Sequence, residues 1–179
     1  MSFNLEQLMA RYQQADRVAA GTLIDALSPQ FFRFFLGCVG DRSHAEDLLQ
    51  DFWLRMHAAR RSYRPPEPVL PWMYAIARRV RVDDYRRRRR VSGHEVAVAE
   101  LPEVAAPARS GDEGDLAALL GELPASQQEV IVMLKVSGLT LEEVAAATRT
   151  SVGAVKQKAH RAYERLRSLM RKPVHGNQI

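Results

Sequence analysis

Apolar positions along this chain recur every three to four residues, and no stretch alternates long enough to make a strand. The pattern predicts an all-α protein. Leu5, Leu8, Met9 and Tyr12 predict a first helix. From Val18 to Leu36 the apolar face of Leu23, Ile24, Leu27, Phe31, Phe34 and Phe35 predicts a second. It should be interrupted or kinked near Ser28-Pro29, where a ring replaces the backbone N–H, and ended by Gly37 and Gly40-Asp41. Ser43 followed by Glu46 predicts a capping box opening a third helix through about Arg60. Tyr63 to Pro71, with Pro65, Pro66 and Pro68, predicts an irregular loop. Pro71 suits the first position of a fourth helix, which runs to about Arg89.

Beyond it the periodicity stops. Val91 to Gly114 is built of Ala, Pro, Gly, Ser and acids without an apolar face, which predicts a flexible linker. Helical spacing resumes at Leu116 to Leu123, then from Pro124 through about Val136, with Ser137-Gly138 as the stop. The stretch Leu139 to Leu169 predicts a helix-turn-helix. Leu139, Leu141, Val144 and Ala145 form a short apolar face behind the capping box of Thr140 and Glu143. Thr148 to Ser151 breaks the pattern. A second helix opens near Ser151 and carries Lys156, Lys158, Arg161, Arg165 and Arg167. In such a motif the second helix enters the major groove of duplex DNA. An amphipathic hairpin with a solvated basic face would satisfy the same spacing, and Arg149 stands where many such turns have Gly. The expected organisation is two small helical domains, 1–91 and 115–172. A linker at 92–114 joins them, and a disordered tail follows at 173–179.

Composition sharpens this picture. The apolar fraction of 46% supports packed cores in a chain of 179 residues, and the net charge of +5 suits a polyanionic partner. The charge is concentrated in two blocks, Arg78 to Arg90 and Arg149 to Lys172, with an acidic joint between them at Glu95 to Glu122. Cys38 is the sole cysteine, which excludes an internal disulfide and any Cys-based zinc site. It is expected to be a small buried hydrophobe. No metal or cofactor site is expected. No apolar run approaches the ~20 residues of a membrane span, and the N-terminal residues lack the apolar core of a signal peptide. The expectation is a cytoplasmic protein without membrane insertion.

Two further constellations carry chemistry. In HAEDLLQDFWLRMH (His44 to His57), Asp47, Gln50, Asp51 and Leu54 fall on one side of a helix. Beside them Ala45, Leu48, Leu49, Phe52 and Met56 supply apolar area. This suits docking onto a basic helical partner, and equally a core helix with a solvated face. In PWMYAIARRVRVDDYRRRRR (Pro71 to Arg90), aromatic Trp72, Tyr74 and Tyr85 accompany Arg78, Arg79, Arg81 and Arg86 to Arg90. Aromatic rings stack on unpaired bases while guanidinium groups neutralise phosphates, the combination that captures single strands. Trp72, Ile76 and Val80 also have the spacing of core positions.

These three motifs, in this order around an acidic linker, resemble a bacterial RNA polymerase sigma factor. They are similar to the compact extracytoplasmic-function (ECF, group 4) type with two conserved domains, over about residues 5 to 170. The resemblance implies an alternative sigma factor that binds core RNA polymerase and directs promoter recognition and transcription initiation, without catalysis of its own. By it, Asp47, Leu48, Gln50, Asp51, Phe52 and Leu54 would contact the clamp helices of the largest subunits. The loop Ser62 to Leu70 with Arg64, and Trp72, Tyr74, Arg78, Arg79, Arg81, Tyr85 and Arg86 on the next helix, would capture the melted −10 strand. At least one base would be flipped out, a cost of a few kcal/mol that stacking and phosphate contacts offset. Arg149, Ser151, Lys156, Gln157, Lys158, His160 and Arg161 would read the −35 duplex. The implied partners are core polymerase, promoter DNA and an anti-sigma factor. The free chain would bind promoters weakly, with its two basic domains folded against each other or against that inhibitor. The sequence departs from the family where Arg78-Arg79 stands for the usual Arg-Asn, where Gln157 and His160 replace commoner residues, and in the loop RPPEPV.

Two other readings compete on the residues. A free-standing helix-turn-helix regulator leaves the Arg-aromatic segment and the acidic stripe unexplained. An enzyme acting on DNA needs a nucleophile or metal carboxylates. Asp83-Asp84 is the one tempting pair, yet adjacent helical residues point apart.

Overall fold

The computed structural model describes residues 4–91 and 114–171. Residues 92–113 of the expected linker 92–114 and the expected tail 173–179 lie outside the described residues, and Gly114 opens α5. Every element is helical: α1 (Leu5–Gln13), α2 (Arg17–Val39), α3 (Arg42–Ala59), a 3₁₀ turn (Arg60–Ser62), α4 (Val69–Val91), α5 (Gly114–Gly121), α6 (Ala125–Ile131), α7 (Leu141–Thr148) and α8 (Val152–Arg171).

Helix starts are set by short polar side chains. Asn4 accepts from the Gln7 N–H, and Asp16 from those of Val18 and Ala19. Asp41, not Ser43, caps α3, accepting from the His44 N–H at 2.7 Å. The serine lies inside the first turn, so the expected capping box is not used. α2 runs unbroken through Pro29. An interior proline costs about 3 kcal/mol, but Phe31, Phe34 and Phe35 beyond it are fully buried. Each such side chain contributes roughly 1.5–3 kcal/mol, so burial outweighs the lost ladder bond. Gly40, at φ 67, ends the helix in the left-handed conformation. α4 begins at Val69, two residues before Pro71, whose missing N–H falls in the unbonded first turn. α6 continues into a π turn over Val132–Val136, where the Ser137 N–H reaches back to the Val132 carbonyl at 2.9 Å. The capping box of Thr140 and Glu143 opens α7 as expected.

The first four helices pack around an aromatic cluster. Phe31 stacks on Phe52 at 4.2 Å between ring centroids and meets Tyr74 at 4.7 Å. Phe34 presents its edge to Tyr74 at 5.3 Å. This cluster does not stop at α4. Leu123, Val130, Ile131, Val132, Met133, Val144 and Val155 belong to the same continuous core. Gly37 explains how the halves approach so closely. It lies within α2 rather than ending it, and a Cβ there would stand 3.0 Å from a Val132 methyl. Gln128 Nε2 donates to the Gly37 carbonyl at 3.0 Å, and Gln30 Nε2 to that of Ser137 at 3.2 Å. The two expected domains are thus closed on one another.

Candidate nucleic-acid interface

The helix-turn-helix presents its basic face to solvent. Val155, Ala159 and Ala162 bury one side of α8 against the core, leaving Lys156, Gln157, His160 and Arg161 exposed and Lys158 half-buried. Ser151 fixes the start of the helix by accepting from the Ala154 N–H at 3.1 Å. Arg149 takes the left-handed conformation a glycine would take, at φ 55, and is exposed. Its N–H returns to the Ala146 carbonyl, so the turn closes without glycine. Arg165 serves the fold instead, donating to the Glu122 carbonyl at 2.9 Å.

α3 divides its residues by helical period. Asp47, Gln50 and Leu54 stand exposed, Leu54 at 71%. Leu48 and Phe52, expected in the docking set, are core residues at 2% and 0% exposure, because they share the face of Ala45 and Met56. Asp51 is half-buried and held by Arg55 at 3.0 Å, and Arg55 also grips Asp83 of α4. That ion pair ties α3 to α4.

On α4 the expected strand-binding residues separate into three groups. Arg79 is exposed, and Arg64 is exposed in the preceding loop. Trp72 is half-buried and lies 5.5 Å from the buried ring of Tyr63. Tyr85 is half-buried with its hydroxyl held by Arg89 at 2.8 Å, and Arg86 faces Asp83 at 3.8 Å. Tyr74 and Arg81, expected among the strand-binding residues, are buried in this structure. The Tyr74 ring fills the aromatic core, and burial pushes its hydroxyl up to about 12. Arg81 turns into the contact with α6. It donates to the Ala125 carbonyl at 3.2 Å and to Gln128 at 3.0 Å, and lies 3.6 Å from Glu129. Arg78 donates to the other Glu129 oxygen at 3.0 Å. Glu129 is 2% exposed, and α7 packs along α4 beside it. The other domain therefore covers Arg78 and Arg81 of α4, while Arg79, Arg87 and Arg88 and the α8 face stay open.

The arginine run is not bare. Asp84, 6% exposed, receives His44 Nε2 and Arg87 at 2.8 Å each and Arg88 at 3.2 Å. Burial alone would raise its carboxyl. The bonds from His44 and Arg87, with the charges of His44 and Arg88, hold it down to about 2. Asp83 and Asp84 thus serve different cations and point apart. Among the described residues, no cluster of His, Cys, Asp and Glu could hold a metal, and no helix is long and apolar enough to cross a membrane.

The loop between α3 and α4 is gripped by α1. Gln13 Nε2 donates to the carbonyls of Arg60 at 2.7 Å and Tyr63 at 2.8 Å. Glu6 accepts from the Val69 N–H at 3.3 Å. The Tyr63 hydroxyl closes the loop internally on the Glu67 carbonyl. Sequence reasoning missed Glu6, Gln13, Tyr63, Gln128 and Glu129. The polar run Gln127-Gln128-Glu129, buried along its whole length and followed by the apolar run Val130 to Leu134, was the available signal for the last two.

Comparison with known proteins is consistent with this geometry. Residues 23–91 match the family model for Sigma-70 region 2, and residues 113–166 that for Sigma-70, region 4. The RNA polymerase sigma factor CarQ of Myxococcus xanthus is 32% identical over 169 residues, covering 90% of this chain and 95% of that protein. The ECF RNA polymerase sigma factor SigD of Mycobacterium tuberculosis is 31% identical, covering 91% and 82%. A sigma factor RpoE from Bartonella quintana, solved with the anti-sigma factor NepR, superposes with a TM-score of 0.69 at 25% identity, covering 86% of this chain and 97% of that one. CnrH, solved with the cytosolic domain of CnrY, shares the fold with a TM-score of 0.72 at 22% identity, covering 92% and 96%.

Proposed function

As a member of the ECF RNA polymerase sigma factors, the chain binds core RNA polymerase and directs promoter recognition and transcription initiation, and we propose how its helices divide that task. Residues 1–91 form the unit that docks on core and takes the −10 strand. Residues 115–172 form the unit that reads the −35 duplex. The exposed stripe of Asp47, Gln50 and Leu54, with Asp51, meets the clamp helices of the polymerase. Arg64, Trp72, Arg78, Arg79, Arg81, Tyr85 and Arg86 hold the melted strand once the domains part. Lys156, Gln157, Lys158, His160 and Arg161, behind the turn of Arg149 and Ser151, face base edges and phosphates in the major groove.

The observation that carries this division is the pairing of surfaces on one chain. An exposed recognition helix follows an arginine-aromatic helix whose half-buried Arg78 and buried Arg81 hold a carboxylate of the other domain. Arg78 and Arg81 cannot bind Glu129 and phosphate together. The free chain is therefore closed and binds promoters weakly, and docking on polymerase separates its halves. The protein performs no catalysis itself, acts in the cytoplasm, and has an anti-sigma protein as its inhibitor.

The test is transcription in vitro by bacterial core polymerase on a pool of genomic promoters, with and without the chain. New start sites sharing −35 and −10 elements are expected. Absence of new transcripts, with no co-purification of core, would favour a free-standing helix-turn-helix regulator.

A further inference from the structure

α1 lies ahead of the residues matched by the region 2 family model, which begin at residue 23. Its side chains reach the two ends of the loop that the proposed function assigns to −10 capture. The end of α3 leaves carbonyls without helical partners, and the start of α4 leaves N–H groups likewise. α1 satisfies both. The Gln13 amide donates to Arg60 and Tyr63 at the first end, and the Glu6 carboxylate accepts from Val69 at the second. A carboxylate also suits the positive end of α4. Glu6 and Gln13 stand two helical turns apart on one face of α1, about 10 Å along its axis. Tyr12 reinforces the grip, its hydroxyl bonded to His57 Nδ1 and its ring under the Arg60 guanidinium at 5.8 Å. Between the two anchors the loop carries exposed Arg64, and Tyr63 supports the ring of Trp72.

We propose that Glu6 and Gln13 are positioning residues that set the shape of the α3–α4 loop and thereby the −10 bases the protein accepts. α1 works as a two-point clasp. A rigid frame determines where Arg64 and Trp72 stand when a base leaves the stack, and preorganised contacts discriminate better than contacts that must order on binding. The inference rests on the −10 assignment of this loop.

Gln13→Glu is the sharp perturbation: it keeps size and shape, removes both N–H donors and aims a negative charge at two carbonyls. Gln13→Lys restores a donor. Holoenzymes made with full-length chains would transcribe a library with a fixed −35 element and a randomised −10 element. Gln13→Glu is expected to flatten base preference at −10 by roughly three- to tenfold, the worth of one hydrogen bond or two. Core affinity and −35 preference stay as in the parent, and Gln13→Lys recovers much of the selectivity. An unchanged −10 profile in Gln13→Glu overturns the inference. So does equal loss of output at every −10 sequence without rescue, which is the mark of a merely structural residue. If Gln13→Glu fails to fold, Glu6→Ala at the other anchor carries the same test with the same outcomes. A parent holoenzyme that shows no −10 preference, or keeps it after Arg64→Ala and Trp72→Ala, overturns the loop assignment itself and the inference with it.

Discussion

Glu129→Gln tests whether the two domains are held together by charge. Glu129 faces Arg78 at 3.0 Å and Arg81 at 3.6 Å, in a contact where Glu129 is 2% exposed and Arg81 3%. The glutamine keeps the volume and still offers a carbonyl to Arg78. Among the described residues it removes the only carboxylate paired with buried Arg81. Breaking a buried pair by removing one partner costs about 3–5 kcal/mol. Arg78 is 19% exposed and relieves part of that, so the lower end applies. Separation of the domains returns both guanidiniums to water with neither domain unfolded, so the penalty falls on closure. At about 3 kcal/mol the closed-to-open ratio drops on the order of a hundredfold. Energy transfer between dyes at Val18 and Met170, exposed positions on α2 and α8, reads that ratio in the free chain. Fully buried Cys38 stays unlabelled in the native state. Transfer should fall, helix content should hold, and binding of a single-stranded −10 oligonucleotide should rise. Unchanged transfer with a lowered melting temperature would refute the reasoning, because Glu129 would then act only within the fold. The lock is also easily opened: Glu129 Oε1 has no hydrogen-bond partner, and a buried pair short of ideal geometry repays its desolvation poorly.

Four other outcomes follow from the structure. Gly37→Ala places a methyl 3.0 Å from Val132. It should weaken closure in the same transfer assay while α2 gains about 0.5–1 kcal/mol of helix preference, and closure as tight as the parent's would contradict the close-approach account. Asp84 is held from an ordinary value of 3.8 down to about 2, so its carboxylate contributes roughly 2 kcal/mol above pH 4 and loses it as pH falls towards 2. The loss of stability over that window should flatten in Asp84→Asn, as measured by urea melts across pH. Asp47→Arg, on the exposed stripe of α3, should abolish co-purification with core polymerase while leaving the melting temperature unchanged. Asp51 is a poorer choice because it already serves Arg55. Lys156→Ala with Arg161→Ala should weaken a −35 duplex and reduce the salt slope of binding by about two; an unaltered promoter spectrum would place the reading surface elsewhere.

The helices themselves were legible in the sequence because their determinants are local. Thr140 and Glu143 are three residues apart and form their capping box regardless of what surrounds them. The apolar period of Leu23, Leu27, Phe31 and Phe34 marks a buried face whichever partner covers it. The outward side of α8 was equally readable, since the same period that buries Val155 and Ala159 exposes Lys156 and His160. Local rules failed where a second element overruled them. Pro29 does not break α2, because the aromatic core holds both halves of the helix. Gly37 reads as a stop and is instead the contact point for Val132. Leu48 and Phe52 carry no local mark separating docking from packing, and the core took them.

What the sequence determined by itself was the set of helices, their turns, and the placing of positive charge in two blocks. What only the tertiary structure decided was which charges meet. Arg78 and Arg81 are identical in kind to exposed Arg79, yet they face a carboxylate some fifty positions along the chain. Helical period fixes the direction of a side chain relative to its own axis, whereas an ion pair between residues far apart in the sequence depends on how two helices pack. That packing is settled by the summed burial of many apolar contacts and the close approach that Gly37 permits.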